Sequence, residues 1–299
     1  MGSELLKSLL VFMLITAGFI LILLLPREVV VTHHGGFVFT ADFPFTFDLF
    51  QQRIQEFIQH FQTEKGFGEN RQGVPIFEDV QKLLTRSLYI VIPSFLFSIV
   101  FGTLLGIIHF YFREKKFGKI QSFFTWVFSS IPDFFLYIGF QYLLIKLIKA
   151  GLPQFNLYGH DQWYSFILPL IAVTIFPLIH MTKFTAVTLE NEVGQDYLRT
   201  AKAKGLTNRR VLKHMFWNCW SPLINQTQFI MIYILTSLPI IEKLSSYQGA
   251  GYHLLASIFG NEDARALALM LPFLALMFLT ILLSKIVKYW LVPQKAGEA

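Results

Sequence analysis

The sequence predicts an all-α integral membrane protein with six transmembrane helices, and three observations lead there. Apolar residues make up 54% of the 299 and charged residues 15%, where a typical soluble domain carries about 25% charged residues. Charge is nearly absent from long windows and crowded between them, and mean hydropathy is +0.52. Windows of about 20 apolar residues cross a hydrocarbon core about 30 Å thick at about 1.5 Å per residue. Such windows fall at 5–25, 88–112, 120–148, 165–184, 221–241 and 266–291.

The first window follows Lys7 and imitates a signal peptide, but no small-x-small site follows it and it ends in Pro26-Arg27-Glu28. It reads as an uncleaved signal-anchor, residues 1–27. Residues 28–87 then form a long polar connection. Within it Phe47, Phe50, Ile54, Phe57, Ile58 and Phe61 recur at helical spacing, Thr46 is placed to cap, Asp48 lies in the first turn, and Gly66 and Gly68 are stop signals. This amphipathic helix either lies on the outer membrane surface or packs as a small helical cap on its own subunit, and the cap is favoured. The five later spans form a core over 88–292, ending in a short tail, 293–299.

Positive charge sets the orientation. Arg113, Lys115, Lys116 and Lys119 crowd one short connection, and Arg199, Lys202, Lys204, Arg209, Arg210 and Lys213 crowd another. Lys7, Lys285, Lys288 and Lys295 fall on the same side if there are six spans. The positive-inside rule therefore predicts a multi-pass plasma-membrane protein with both termini cytoplasmic and 28–87 outside. It also accounts for the net charge of +6 without nucleic acid. Cys219 is the single cysteine, which excludes an internal disulfide.

The cytoplasmic connection 185–220 carries the most information. Its acidic residues Glu190, Glu192 and Asp196 come early and its basic residues late, Val193, Tyr197 and Ala201 repeat every four residues, and Gly205 is placed to leave the helix in a left-handed conformation. A second helix begins near Thr207 or Asn208, with Val211/Met215/Cys219 and Leu212/Phe216/Trp220 on its apolar side.

The run 195–206, Gln-Asp-Tyr-Leu-Arg-Thr-Ala-Lys-Ala-Lys-Gly-Leu, followed by His214 and Asn218, resembles the "EAA" loop of ABC importer permeases. The likeness is closest to the oligopeptide/dipeptide/nickel branch, B-type. Weaker likenesses are Val74-Pro75, Gly102 with Gly106, Ser130-Ile131-Pro132 and Gly249-Ala250-Gly251. Two positions depart from the family: Arg27-Glu28-Val29 replaces its Gly-Asp-Pro, and Asn191 stands where it has glutamate, between Glu190 and Glu192.

The resemblance implies the type I importer permease fold and a set of partners: a homologous second permease, two ABC ATPase subunits holding ATP and Mg, an extracytoplasmic substrate-binding protein, and membrane lipid. It implies that Glu190, Glu192, Asp196, Tyr197, Arg199, Ala201, Ala203, Gly205, Leu206, His214 and Asn218 couple this chain to an ATPase, with Ala201 and Ala203 small enough for close approach. The chain itself has no G-x-x-x-x-G-K-[ST] run, so it is expected to bind no nucleotide and to be non-catalytic.

For the pathway the candidates are Asp133, beside Pro132 near the centre of the third span, and His180. An acid at mid-membrane costs about 2.5–3.5 kcal/mol and usually faces a cavity; Asp133 either meets a substrate amine or pairs within the bundle. His180 and Lys183 line an exit or pack structurally. Gly102 and Gly106 make a G-x-x-x-G pair for close helix contact. His33-His34, and His160 beside Asp161, lack a third ligand and read as loop histidines rather than a metal site. The expected cargo is peptides, with a metal chelate or other small solute as the alternative. A sensor or scaffold without transport, and a membrane enzyme, are the readings from other classes.

Overall fold

The computed structural model describes residues 2–26, 30–33, 39–42, 45–70, 72–156 and 158–291. Among the described residues, eleven helices and one pair of strands run in the order α1 (Gly2–Leu23), β1 (Val30–His33), β2 (Phe39–Asp42), α2 (Phe47–Thr63), α3 (Ile76–Phe112), α4 (Lys116–Ser130), α5 (Asp133–Lys149), α6 (Ile167–Glu192), α7 (Asp196–Ala203), α8 (Asn208–Asn218), α9 (Trp220–Ser245), α10 (Ala250–Phe259) and α11 (Asp263–Leu291). Five of these, α1, α3, α6, α9 and α11, are long and apolar enough to cross a membrane; α4 with α5 makes a sixth if the bent pair counts as one span. Leu9, Leu10, Met13, Leu14 and Ile22 of α1, and Leu96, Phe97, Val100 and Phe101 of α3, are exposed. A helix satisfies its own backbone, so such apolar faces are stable in lipid and unstable in water.

The predicted continuous span 120–148 is corrected by the fold. Helices α4 and α5 meet at 104°. The cause is Pro132: it forces Ile131 out of the helical region, to φ −100° and ψ 123°, and its ring nitrogen cannot donate to the turn before it. Asp133 therefore opens α5 instead of lying within a span, and its carboxylate accepts from the Phe134 N–H at 2.8 Å.

One compact unit comprises residues 1–85 and 249–275. Its small core is Leu23, Ala266 and Leu267, with Ile20, Phe57, Phe67, Leu254 and Ile258 packed against it. Of the apolar stripe of α2, Phe57 packs against this core while Phe47 and Ile58 are exposed, and Thr46 caps the helix by accepting from the Leu49 N–H at 3.3 Å. Phe61 and Phe67 meet edge to face. The antiparallel pairing of β1 and β2 (Val30 opposite Asp42, His33 opposite Phe39) lies in the segment 28–87, where the sequence pointed to a helix and to no strand. Arg265 clamps the start of α3 with two N–H groups on Asp79 Oδ2, at 2.7 and 3.1 Å.

A second departure is α10. The Gly249-Ala250-Gly251 run reads as a loop corner, yet Ser246 takes the left-handed bend (φ 52°) and Gly249 is the N-cap of a helix. Leu254 and Ile258, four residues apart, carry its apolar face to the core.

The other unit, residues 86–248 and 276–299, is built on α6 packed against α9, with α4 and α5 also against α6. Gly102 and Gly106 of α3 face α6. A Cβ at Gly106 would lie 2.5 Å from Thr185 Cβ and 2.7 Å from the Thr182 carbonyl, and one at Gly102 would lie 2.7 Å from Met181 Cβ. At the far end of α9, Glu242 is fully buried and accepts from Ser87 Oγ at 2.6 Å.

Candidate functional site

The chain leaves α6 at Glu192 and turns at Val193-Gly194-Gln195, where Gly194 takes φ +98°. Predicting one helix from Glu190 onward overlooked this break. Val193 is accordingly exposed, not part of a stripe, and the residue of α7 that packs inward is Leu198. The break also puts Glu190 and Glu192 at the C-terminal end of α6, where the helix dipole disfavours negative charge. Glu192 finds compensation across the turn: Tyr197 Oη donates to its Oε2 at 2.5 Å, and Asn218, the last residue of α8, reaches the same hydroxyl. Burial, and then the bond to Glu192, push the Tyr197 phenol up to about 12. Three predicted residues from three helices thus form one clasp.

The far end of α7 closes as the glycine position requires. Gly205 sits at φ +78°, its N–H donates to the Lys202 carbonyl at 2.9 Å, and the Leu206 N–H reaches back to the Ala201 carbonyl at 3.2 Å. This pair of bonds satisfies carbonyls that a helix end otherwise leaves open, and it needs a left-handed residue. Helix α8 then lays Val211 and Met215 inward, and Cys219 continues that buried row. Cys219 ends α8 and begins α9 with helical dihedrals, so the two run on with little interruption. Burial, and secondarily Glu192, raise its thiol to about 12, which makes it an inert packing group.

The outward face of the hairpin carries Glu190, Asp196, Arg199, Lys202, Ala203 and Gly205, all exposed, with Ala201 and Leu206 half-buried. Asp196 and Arg199 approach at 3.5 Å in full solvent, a pair worth little stability. His214 is exposed on α8. A cleft of about 820 Å³ separates the hairpin from the α3–α4 turn, lined by Arg113, Lys115, Arg199 and Lys202 over a floor that includes Leu198, Val211 and Met215. The two basic connections therefore share one end of this unit.

The remaining candidates gather elsewhere in the same unit. Tyr233 of α9 reaches the Asp133 carboxylate with its hydroxyl, and its ring stacks on Phe176 of α6 at 4.2 Å. His180 lies one turn on from Phe176, bonded to Gln226 at 3.0 Å. Sequence reasoning named Asp133 and His180 but not Tyr233, Phe176 or Gln226. The spacings 176/180 and 226/233 were available, but aromatic and amide residues in an apolar helix give no sign of which face they take. Among the described residues no three His, Cys, Asp or Glu side chains gather to hold a metal. His160 lies 3.8 Å from Asp161, and His34 lies outside the described residues.

Spanning helices with lipid-compatible faces, a broken helix pair and an exposed polar helical hairpin define a polytopic α-helical membrane protein. Residues 98–296 match the family described as binding-protein-dependent transport system inner membrane component, and the chain belongs to that family. The resemblance read from residues 195–206 thus holds. Among curated relatives, the glutathione transport system permease protein GsiC of Escherichia coli (strain K12) is 26% identical over 185 residues, covering 62% of this chain and 59% of the relative. The protein of the same name from Salmonella typhi is 25% identical over the same shares. The chain thus matches about three-fifths of the length of these relatives.

Proposed function

We propose that this chain is one of two permease subunits of an ATP-driven, binding-protein-dependent importer, and that α7 is the element an ATPase subunit grips. The observation that carries the reading is the hairpin's construction. Its inner side is locked by Leu198, Val211, Met215 and the Glu192–Tyr197–Asn218 clasp, while its outer side offers small and charged residues. A helix held at both ends transmits displacement. Pulling α7 moves α6 through Gly194 and α9 through the near-continuous α8–α9 junction. Because α6 and α9 pack on each other and carry His180, Phe176 and Tyr233, motion at the hairpin repositions the polar face. That is the two-state coupling alternating access needs.

The positive-inside rule places the hairpin and both termini in the cytoplasm and residues 28–87 outside. A substrate-binding protein would then deliver cargo from the outer side. Short peptides are the cargo class, supported by the peptide nature of the solute in the relatives' printed name.

The test is co-purification with the ATPase subunit and cargo-stimulated ATP hydrolysis in proteoliposomes. Gly205→Pro and Ala201→Trp are expected to abolish stimulation while the chain still inserts. Full transport without any ATPase subunit, or a hairpin labelled from outside the cell, would overturn the reading.

A further inference from the structure

The cleft between the hairpin and the α3–α4 turn plays no part in the proposed function, yet it is strongly cationic. Arg113 and Lys115 line it from the turn and Arg199 and Lys202 from α7, against one carboxylate, Glu114. That carboxylate is exposed and stands 3.9 Å from Arg113, too far for a close pair. Aromatic rings of α3 hold the turn's cations in place, Arg113 over Phe110 at 4.5 Å and Lys115 over Phe112 at 5.2 Å. Arg199 meets Asp196 at 3.5 Å in full solvent, a pair that neutralises little. Among the described residues no carboxylate pairs with Lys115 or Lys202. Like charges on both walls repel until an anion sits between them.

The backbone adds to the same field. Gln195 and Asn208 also line the cleft; they are the N-cap of α7 and the first residue of α8, and neither helix has a side-chain cap. The positive ends of two helix dipoles therefore border it, although Asp196 offsets part of this at α7. Under the charges the lining is apolar. Phe110, Leu212 and Met215 contribute, and Tyr111 and Val193 turn about half of their surface outward here. At about 820 Å³ the cleft is the size of an organic-ligand site, about 300–1,000 Å³, rather than of a lone phosphate ion. A soluble anion would use the charges and leave the apolar lining wet, whereas an amphiphile with an anionic head covers both.

We infer that this cleft holds one anionic phospholipid, its phosphate between Arg113 and Lys115 on one wall and Arg199 and Lys202 on the other, with the start of its acyl chains on the apolar lining. The inference rests on the orientation adopted with the importer reading, which sets the cleft at the cytoplasmic leaflet, where anionic lipid is attracted to basic clusters. Ala201, Ala203 and Gly205, the small residues assigned to the ATPase grip, lie outside the lining, so a lipid in the cleft leaves them free. The bound head neutralises two basic connections at once and ties α7 to the α3–α4 turn.

The experiment counts bound lipid by native mass spectrometry, on the full chain and on the assembled importer, during titration with dioleoyl phosphatidylglycerol or dioleoyl phosphatidylcholine. One phosphatidylglycerol is expected to be held about tenfold tighter than phosphatidylcholine, a difference of about 1.4 kcal/mol. Arg113→Gln with Lys115→Gln should remove that preference, and Lys202→Gln alone, on the opposite wall, should weaken it several-fold. Arg209→Gln with Arg210→Gln takes the same charge from exposed residues of α8 outside the cleft, and should change it less than about twofold. Glycerol phosphate, the head without its chains, should not displace the lipid even in about hundredfold excess. Equal affinity for the two lipids, equal losses in the two double variants, or displacement by glycerol phosphate would overturn the inference. So would a lipid present on the free chain and absent from the assembled importer, which would make the cleft the ATPase subunit's seat. The ATPase subunit is counted in the same spectra. Lipid lost while the ATPase subunit stays removes this site alone. An ATPase subunit that never associates removes the importer reading, and the lipid count on the chain still decides the site.

Discussion

Replacing Gly205 tests the hairpin's geometry with little else changed. An ideal Cβ at this position meets no atom within 4 Å, so an alanine adds no collision inside the chain. What it adds is backbone strain, because φ is +78°. Holding an ordinary L-residue in the left-handed region costs about 1–2 kcal/mol, a factor of about 5–30 in the ratio of closed to frayed helix end. Asparagine tolerates this region better than alanine. Proline cannot adopt it and removes the N–H that donates to Lys202, so its cost is about 3 kcal/mol or more. Amide hydrogen exchange across residues 201–206, followed by mass spectrometry, reads the closed fraction directly. Protection is expected to fall about tenfold for Gly205→Ala, by less for Gly205→Asn, and to vanish for Gly205→Pro. Equal protection in the alanine and asparagine variants would refute the backbone argument. A hundredfold loss in Gly205→Ala would point to a steric wall instead.

Other perturbations separate the remaining contributions. Gly106→Ala should lower the thermal midpoint in detergent, by about 1–3 kcal/mol of overpacking, and Thr185→Ala should restore little, since it keeps the Cβ at 2.5 Å and the Thr182 carbonyl also obstructs. Tyr197→Phe leaves Glu192 without its donor and is expected to cost about 1 kcal/mol of hairpin stability, seen as several-fold weaker ATPase-subunit binding with normal insertion. The Tyr197 phenol is raised to about 12 from an ordinary 10, so the folded state favours its neutral form. The clasp should therefore be intact below pH 10 and lost as pH rises through about 12, visible as a late tyrosinate absorbance step that Tyr197→Phe removes. Arg265→Lys keeps the charge but not the two N–H groups on Asp79, and should lower the thermal midpoint by about 1–2 kcal/mol.

The amino-acid sequence by itself determined the membrane class, five of the spans, the polar hairpin, and the special roles of Gly205 and Thr46. Each rests on interactions within about one helical turn or on composition, which a linear chain displays. The clasp of Glu192, Tyr197 and Asn218 was legible only as three separate letters; its formation depends on Gly194 breaking α6, and a glycine in sequence does not say whether a helix continues through it. The elbow at Pro132 was visible as a proline, but its 104° angle and the release of Asp133 from mid-span were decided by how α4 and α5 pack on α6. Likewise α10 and the β1–β2 pair are stabilised by partners distant in sequence or by cross-strand pairing, which weak local signals do not reveal. Tertiary structure alone brought Tyr233, Phe176 and Gln226 to the same face as Asp133 and His180, because the rotation of each helix is set by all its neighbours together.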